Sequence, residues 1–140
     1  MREAVLDASV VLKWFRAAGE RHLAAARRLR NDYEAGKLLV FAPSLLGLEI
    51  INVAARRWRW DRRALVSLAA ALGELGFQLR EPELHRIARW TAEGLTANDA
   101  AYVALAEAES MPLITDDAGI LAAAPEIAVP LAEAAGTSPL

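Results

Sequence analysis

The chain has 140 residues, of which 55% are hydrophobic and 24% charged, and this size and composition predict one globular domain over residues 1–140. No apolar stretch approaches the roughly 20 residues of a membrane span, and nothing resembles a secretion signal, so we expect a cytoplasmic protein without membrane association. A net charge of -2 argues against binding nucleic acid by bulk electrostatics, and the absence of cysteine excludes disulfides and thiolate metal sites.

Short apolar runs alternate with helical patterns along the chain, which predicts a parallel β-sheet with helices on both faces. The predicted strands are Ala4–Leu6, Leu38–Ala42, Phe77–Leu79, Leu113–Thr115 and Ile127–Val129. The predicted helices are Ala8–Phe15, Arg21–Ala35, Ser44 (as cap) to about Arg57, Asp61 (as cap) to about Leu75, Glu83–Glu93, Thr96–Glu109 and Asp117 to about Ala124. Residues 135–140 are expected to be loose.

Acidic residues stand next to apolar segments at four places in the sequence. They are Asp7, Glu49, Asp99 and the adjacent pair Asp116 and Asp117. Two carboxylates at about 4 Å repel each other by several kcal/mol at an effective dielectric near 20, so a cluster of them needs a cation. Mg²⁺ or Mn²⁺ prefers such oxygen ligands, and it can activate water for phosphodiester hydrolysis.

Helix capping is the structural alternative for most of these acids. Asp7 precedes a predicted helix, Asp99 follows Thr96 at capping-box spacing, and Asp116 and Asp117 open a short helix. Asp7 and Asp117, however, also follow predicted strands at their carboxyl ends, where parallel sheets bind ligands. We therefore expect these acids to meet at one edge of the sheet.

Glu49 cannot be a cap, because it lies in the middle of a predicted helix between two apolar residues. The structural alternative for it is a salt bridge to Arg56. The position of Asn52, three residues after Glu49, puts both polar side chains on one stripe of the helix. The pattern favours a carboxylate that faces a metal.

Four segments carry these acids in order: Val5–Trp14, Leu48–Asn52, Asn98–Ala106 and Leu113–Asp117. Together they resemble the motifs of the PIN-domain family, particularly VapC-type toxins of prokaryotic toxin–antitoxin pairs. The resemblance covers essentially the whole chain. It implies a three-layer α/β/α sandwich with a central parallel sheet of about five strands. It also implies an endoribonuclease that depends on Mg²⁺ or Mn²⁺, forms a homodimer and is inhibited by a cognate antitoxin protein.

The resemblance also implies which residues form the site. Its catalytic and metal-binding acids are Asp7, Glu49, Asp99 and Asp117. Supporting positions are Ser9, Asn52, Thr115 and Asp116, of which Thr115 would orient the site and Asp116 is the variable position of a Thr-x-Asp pattern. Asn98 stands where these toxins commonly carry an aromatic residue, which could alter packing or substrate approach near Asp99.

Two other functions fit parts of the sequence. One is a catalytically silent interaction module with the same fold, whose acids bind a basic partner. The other is a phospho-signalling receiver, which fits less well because receivers carry their acidic pair after the first strand and a lysine after the last.

The basic residues give further expectations. The segment Arg56–Arg63 holds five arginines and one aspartate, interleaved with Trp58 and Trp60, and suits RNA or an acidic protein segment, of which we prefer a protein interface. Arg27, Arg28 and Arg30 are expected to form a solvated helix face. His22 and His85 are expected to be surface residues of their helices, outside any metal-ligand spacing and without a role at the site.

Overall fold

The computed structural model describes residues 1–136 and contains a five-stranded, entirely parallel sheet. Its strands are β1 (Arg2–Leu6), β2 (Leu38–Ala42), β3 (Gln78–Leu79), β4 (Leu113–Thr115) and β5 (Ala128–Pro130). The helices are α1 (Ala8–Phe15), α2 (Leu23–Glu34), α3 (Leu45–Arg56), α4 (Arg62–Glu74), α5 (Leu84–Ala92), α6 (Ala97–Glu109), α7 (Ala118–Ala123) and α8 (Leu131–Gly136). The expected α/β/α sandwich with a central parallel sheet is confirmed.

The element boundaries agree with the sequence pattern in most places. Asp61 caps α4 by accepting from the Ala64 amide at 3.0 Å, and Thr96 caps α6 by accepting from the Asp99 amide at 3.1 Å. The expectation for Ser44 was wrong, because its side chain makes no capping bond to α3. Helix α8 was not predicted, and residues 137–140 of the expected loose tail lie outside the described residues.

The strand order β3-β2-β1-β4-β5 determines where a ligand can bind. The chain steps outward from β1 to β2 and β3, and then returns to the other side of β1 as β4. Right-handed crossovers therefore put the connecting helices on opposite faces of the sheet, and a crevice opens at the carboxyl ends of β1 and β4. The order also excludes the receiver alternative, whose sheet runs β2-β1-β3-β4-β5.

The two central strands and α6 form the centre of the core. Val5 and Leu6 of β1 and Leu113 of β4 are fully buried, as expected for parallel strands covered on both faces. Every residue of α6 from Ala100 to Ala106 is buried, and its many alanines let the helix lie close to the sheet. This packing holds the first turns of α6 beside the crevice.

An aromatic cluster holds α1 against its neighbours. The Trp14 ring lies 6.2 Å from that of Tyr33 and 5.9 Å from that of Phe77, and the Trp14 indole donates to the Ala26 carbonyl at 3.0 Å. These contacts fix the direction in which α1 leaves the sheet. No helix among residues 1–136 is long and apolar enough to cross a membrane.

Candidate functional site

Asp7 follows β1 directly, and its side chain is held by two hydroxyl groups. One carboxylate oxygen accepts from Ser9 Oγ at 2.6 Å and the other from Thr115 Oγ1 at 2.6 Å. Although Asp7 occupies the N-cap position of α1, its side chain makes no capping bond there, so the capping explanation is wrong for this carboxylate. Only 4% of Asp7 is exposed.

The same two hydroxyls connect β1 to the segment after β4. Thr115 Oγ1 accepts from the Asp117 amide at 3.0 Å, and Ser9 Oγ accepts from the Asp116 amide at 3.0 Å. Because β1 and β4 are neighbouring parallel strands, their carboxyl ends bring these residues together despite a sequence separation of 108 residues between Asp7 and Thr115. Ser9 and Thr115 thus contact Asp7, as the sequence led us to expect of supporting residues.

Asp117 begins α7 and does act as a helix cap. Its Oδ1 accepts from the Ile120 amide at 2.9 Å. A Cβ on Gly119 would come within 3.1 Å of the same oxygen, so the glycine leaves room for the carboxylate. The capping explanation is therefore correct for Asp117, but it occupies one oxygen only. The charge of Asp117 also reaches its acidic neighbours and raises the pKa of both Asp7 and Asp99.

Glu49 projects from α3 towards α6, where Tyr102 donates a 2.5 Å hydrogen bond to its Oε1. Tyr102 is 1% exposed, so its hydroxyl is held in place by the core. The alternative of a salt bridge between Glu49 and Arg56 is wrong, since none forms in the described part of the chain. Glu49 is instead oriented by an uncharged donor.

The electrostatics of the acids link them into one cluster, which we call the acid cluster: Asp7, Glu49, Asp99 and Asp117. Burial raises the pKa of Asp7 to about 6, against the lowering effect of its two hydroxyl partners. Burial, followed by the charge of Asp99, raises the pKa of Glu49, and burial, followed by the charge of Asp117, raises that of Asp99. Among residues 1–136, no Lys, Arg or His forms an ion pair with any of the four.

Asp116 differs from its neighbour Asp117 because it is neutralised within the protein. Its carboxylate lies 3.2 Å from Lys13 Nζ and 2.9 Å from His22 Nδ1. His22 is exposed, as expected, and its contact with Asp116 was not predicted. These contacts account for Asp116 structurally and separate it from the acid cluster.

The acid cluster has the chemistry of a site for a hard divalent cation. Its donors are carboxylate oxygens, and the pKa values of Asp7, Glu49 and Asp99 are raised. A bound cation would offset the repulsion between these like charges. As placed, no three His, Cys, Asp or Glu side chains within residues 1–136 are grouped closely enough to hold one ion. Mg²⁺ commonly takes only one or two carboxylates and fills its remaining positions with water and phosphate, so the donor set fits such an ion.

Sequence reasoning missed two residues of this region and misplaced one. Tyr102 was not expected to serve the site, yet it donates a hydrogen bond to Glu49, and Asn98 lowers the pKa of Glu49 against the larger raising effect of burial. The spacing of Tyr102, three residues after Asp99 on α6, could have indicated it. Asn52, expected to support the site, is exposed and makes no described hydrogen bond to the acid cluster.

Comparisons with known proteins place this geometry in a family. The PIN domain profile matches residues 4–126 of the chain, and PIN domains are generally nucleases. None of the curated proteins compared with the chain matches it.

Two crystal structures resemble the fold. PAE2754 from Pyrobaculum aerophilum has 24% identity and a TM-score of 0.68, over 96% of this chain and 95% of that one. VapC20 from Mycobacterium tuberculosis, a toxin that cleaves the sarcin–ricin loop, has 18% identity and a TM-score of 0.64, over 86% of this chain and 94% of that one. At these identities they support the fold alone, and the family match identifies the chain: it belongs to the PIN domain family.

Proposed function

We propose that the protein is an endoribonuclease that depends on Mg²⁺ or Mn²⁺. The observation that carries this proposal is the acid cluster, in which charge interactions link four carboxylates from separate parts of the chain that have no basic partner among the described residues. Leaving such acids un-neutralised destabilises the fold, and function is the usual reason for keeping them.

The proposed metal ligands are Asp7, Glu49, Asp99 and Asp117, of which an ion such as Mg²⁺ would take one or two directly and contact the others through its waters. When bound, it would supply the acidification of a water and the neutralisation of charge on the departing oxygen of a phosphodiester. Ser9 and Thr115 keep Asp7 in one orientation, so that its oxygens are preorganised for a cation. Tyr102 does the same for Glu49.

We further propose that the protein is the toxin of a toxin–antitoxin pair. The ordered VapC-like motifs, Val5–Trp14, Leu48–Asn52, Asn98–Ala106 and Leu113–Asp117, support this role. The proposal includes a homodimer, a cognate antitoxin that covers the site, and a cytoplasmic location in which RNA is the available substrate.

The proposal is tested by incubating the purified protein with single-stranded and structured RNA in Mg²⁺ or Mn²⁺. We expect cleavage that stops with EDTA and is lost in Asp7→Asn and Glu49→Gln. The matched control is Glu107→Gln, the same chemical change at an acid on α6 that already has basic partners. Undiminished cleavage in Asp7→Asn and Glu49→Gln would exclude the mechanism.

One observation favours a second candidate, a catalytically silent interaction module. The described acids are not grouped around a single ion position as placed. Calorimetric titration with Mn²⁺ separates the two functions. The nuclease should bind the ion and lose binding in Asp7→Asn, whereas a silent module should neither bind it nor cut RNA.

A further inference from the structure

A basic cleft lies between the end of α1 and the first half of α2. Its volume is about 300 Å³, and four of its lining residues are basic: Lys13, Arg16, Arg27 and Arg30. None of its lining residues is acidic. We call it the α1–α2 cleft.

Two of these four cations are not neutralised. Lys13 pairs with Asp116 at 3.2 Å, and Arg30 pairs with Glu34 at 2.8 Å. Arg16 and Arg27 form no ion pair with any carboxylate among residues 1–136. The cleft therefore carries uncompensated positive charge on a chain whose net charge is -2.

Contacts within the protein hold two of these cations, Arg16 and Arg30, in place. Arg30 donates to the Trp14 carbonyl at 2.9 Å and lies over the Trp14 ring, so it is fixed against α1. The expectation that Arg30 belongs to a solvated helix face was therefore wrong. The Arg16 guanidinium lies 5.4 Å from the centre of the Trp58 ring. A guanidinium positioned in this way loses less freedom when it binds a phosphate.

Lys13 connects the α1–α2 cleft to the segment that carries Asp117. Lys13 lines the cleft, and its ammonium group contacts Asp116, which is the residue next to Asp117. A ligand in the cleft would therefore extend from a basic surface towards the crevice at the ends of β1 and β4. The charged side chains along this direction change from basic ones in the cleft to the acidic Asp116 and Asp117.

We propose that the α1–α2 cleft binds the phosphate backbone of the RNA strand beside the scissile bond. This inference rests on the proposed nuclease function, which makes RNA the substrate. A strand that enters an acid cluster is repelled there until a cation binds, so the affinity for its phosphates must come from neighbouring cations. Arginine forks bind phosphate oxygens in a bidentate manner, which suits Arg16 and Arg27 to this task.

An acidic protein segment fits the cleft less well. Its carboxylates would meet the same repulsion from Asp117 as RNA phosphates do, and the proposed reaction gives them no reason to be there. A phosphodiester is the anion that a metal-dependent hydrolase is built to bring to such acids. The position of the cleft therefore favours RNA.

The test measures binding of a fluorescently labelled, short single-stranded RNA by anisotropy, in EDTA so that cleavage is suppressed, over a series of salt concentrations. The variants are Arg16→Gln, Arg27→Gln and the double variant. We expect several-fold weaker binding and a plot of log affinity against log salt that is shallower by about 0.7 for each arginine removed. Arg27→Lys should restore most of the slope, because it restores the charge.

The matched control is Arg89→Gln on α5. Arg89 is exposed, the charge change is the same, and its partner Glu107 keeps Arg86 as a second cation. This variant should bind RNA as the wild type does. Melting temperatures of all variants should stay close to that of the wild type, which separates a binding defect from unfolding.

Two results would overturn the inference. One is a folded double variant with the affinity and salt dependence of the wild type. The other is a double variant that binds RNA normally but loses affinity for a poly-glutamate peptide, which would assign the cleft to an acidic protein. Failure of the nuclease proposal is distinguishable, because it appears as absent cleavage in Mg²⁺ and Mn²⁺ whatever the RNA affinity in EDTA.

Discussion

The two ends of α6 carry acids in contrasting environments. Glu107, in the last turn, accepts hydrogen bonds from Arg86 and Arg89 at 3.1 Å and from the Trp90 indole at 3.3 Å. Asp99, in the first turn, has no basic partner among the described residues, and burial and the charge of Asp117 raise its pKa. The helix dipole favours an acid at the first end and opposes one at the second, but it does not remove the repulsion within the acid cluster.

Structural acids therefore differ from those of the acid cluster in having basic partners within the protein. The sequence has 16 Lys and Arg residues, so cations were available to neutralise Asp99 as they neutralise Glu107. An acid with internal cations joins elements of the fold, here α5 to α6. The repulsion felt by an acid without them is relieved only when the acid is protonated or when a cation from outside the chain binds.

The largest expected effect contrasts adjacent acids. Asp117→Asn should lower RNA cleavage by more than about a hundredfold, because a carboxylate of the proposed metal site is lost. Asp116→Asn should lower it far less, because Asp116 is occupied by Lys13 and His22. Cleavage rates at saturating Mg²⁺ measure both effects. Equal losses in the two variants would contradict the separation of Asp116 from the acid cluster.

A second prediction concerns pH and Asp7. Its pKa rises from 3.8 to about 6 on folding, so the folded state holds the proton more tightly and ionisation destabilises the fold. In EDTA, the free energy of unfolding contributed by this group should fall by about 3 kcal/mol as the pH rises from below 3.8 to above 6. Urea unfolding of wild type and Asp7→Asn across this range measures it as a difference. A difference that does not vary with pH would contradict the assignment.

A third prediction uses the two tyrosines of the chain. Tyr102→Phe removes the donor to Glu49 and should lower Mg²⁺ affinity and cleavage roughly 10- to 100-fold. Tyr33→Phe removes a core hydroxyl that donates to the Leu75 carbonyl, away from the acid cluster, and should leave the Mg²⁺ dependence unchanged. Cleavage rates over a Mg²⁺ titration compare them, and a matching shift in both variants would mean that Tyr102 acts through stability alone.

The smallest effects should have opposite signs at the two ends of α6. Glu107→Gln weakens the contacts with Arg86 and Arg89 and should lower the free energy of unfolding by about 1 kcal/mol, since the group is partly exposed. Asp99→Asn relieves repulsion and should raise it in EDTA. Denaturant titrations at neutral pH measure both, and a destabilised Asp99→Asn would argue against an un-neutralised cluster.

The sheet was predictable from the sequence because its central strands are short apolar runs punctuated by Pro, Gly and acids. Leu38–Ala42 and Leu113–Thr115 were located to the residue for this reason. Helix α8 was missed because a short alanine-rich segment after β5 has little pattern of its own. Its place depends on packing against α2, which a local pattern does not reveal.

The site was predictable in its acids and less so in their partners. Asp116 and Asp117 are adjacent, so the sequence did not show that only Asp116 has basic partners. These partners, Lys13 and His22, lie about a hundred residues earlier in the chain. Tyr102 looked like an ordinary core residue, because its value to Glu49 depends on how α3 faces α6. Contacts between distant elements are set by the tertiary fold, and side-chain type alone does not indicate them.

The strand order has a consequence for protein synthesis. Asp7 and its partner Thr115 are separated by 108 residues, and β4 must pair with β1 before the crevice exists. At about 5–20 residues per second, the ribosome needs roughly 5 to 20 seconds to span this distance. Until β4 has been made, the growing chain lacks Thr115, and Asp7 is without one of the two hydroxyl groups that hold its carboxylate in place.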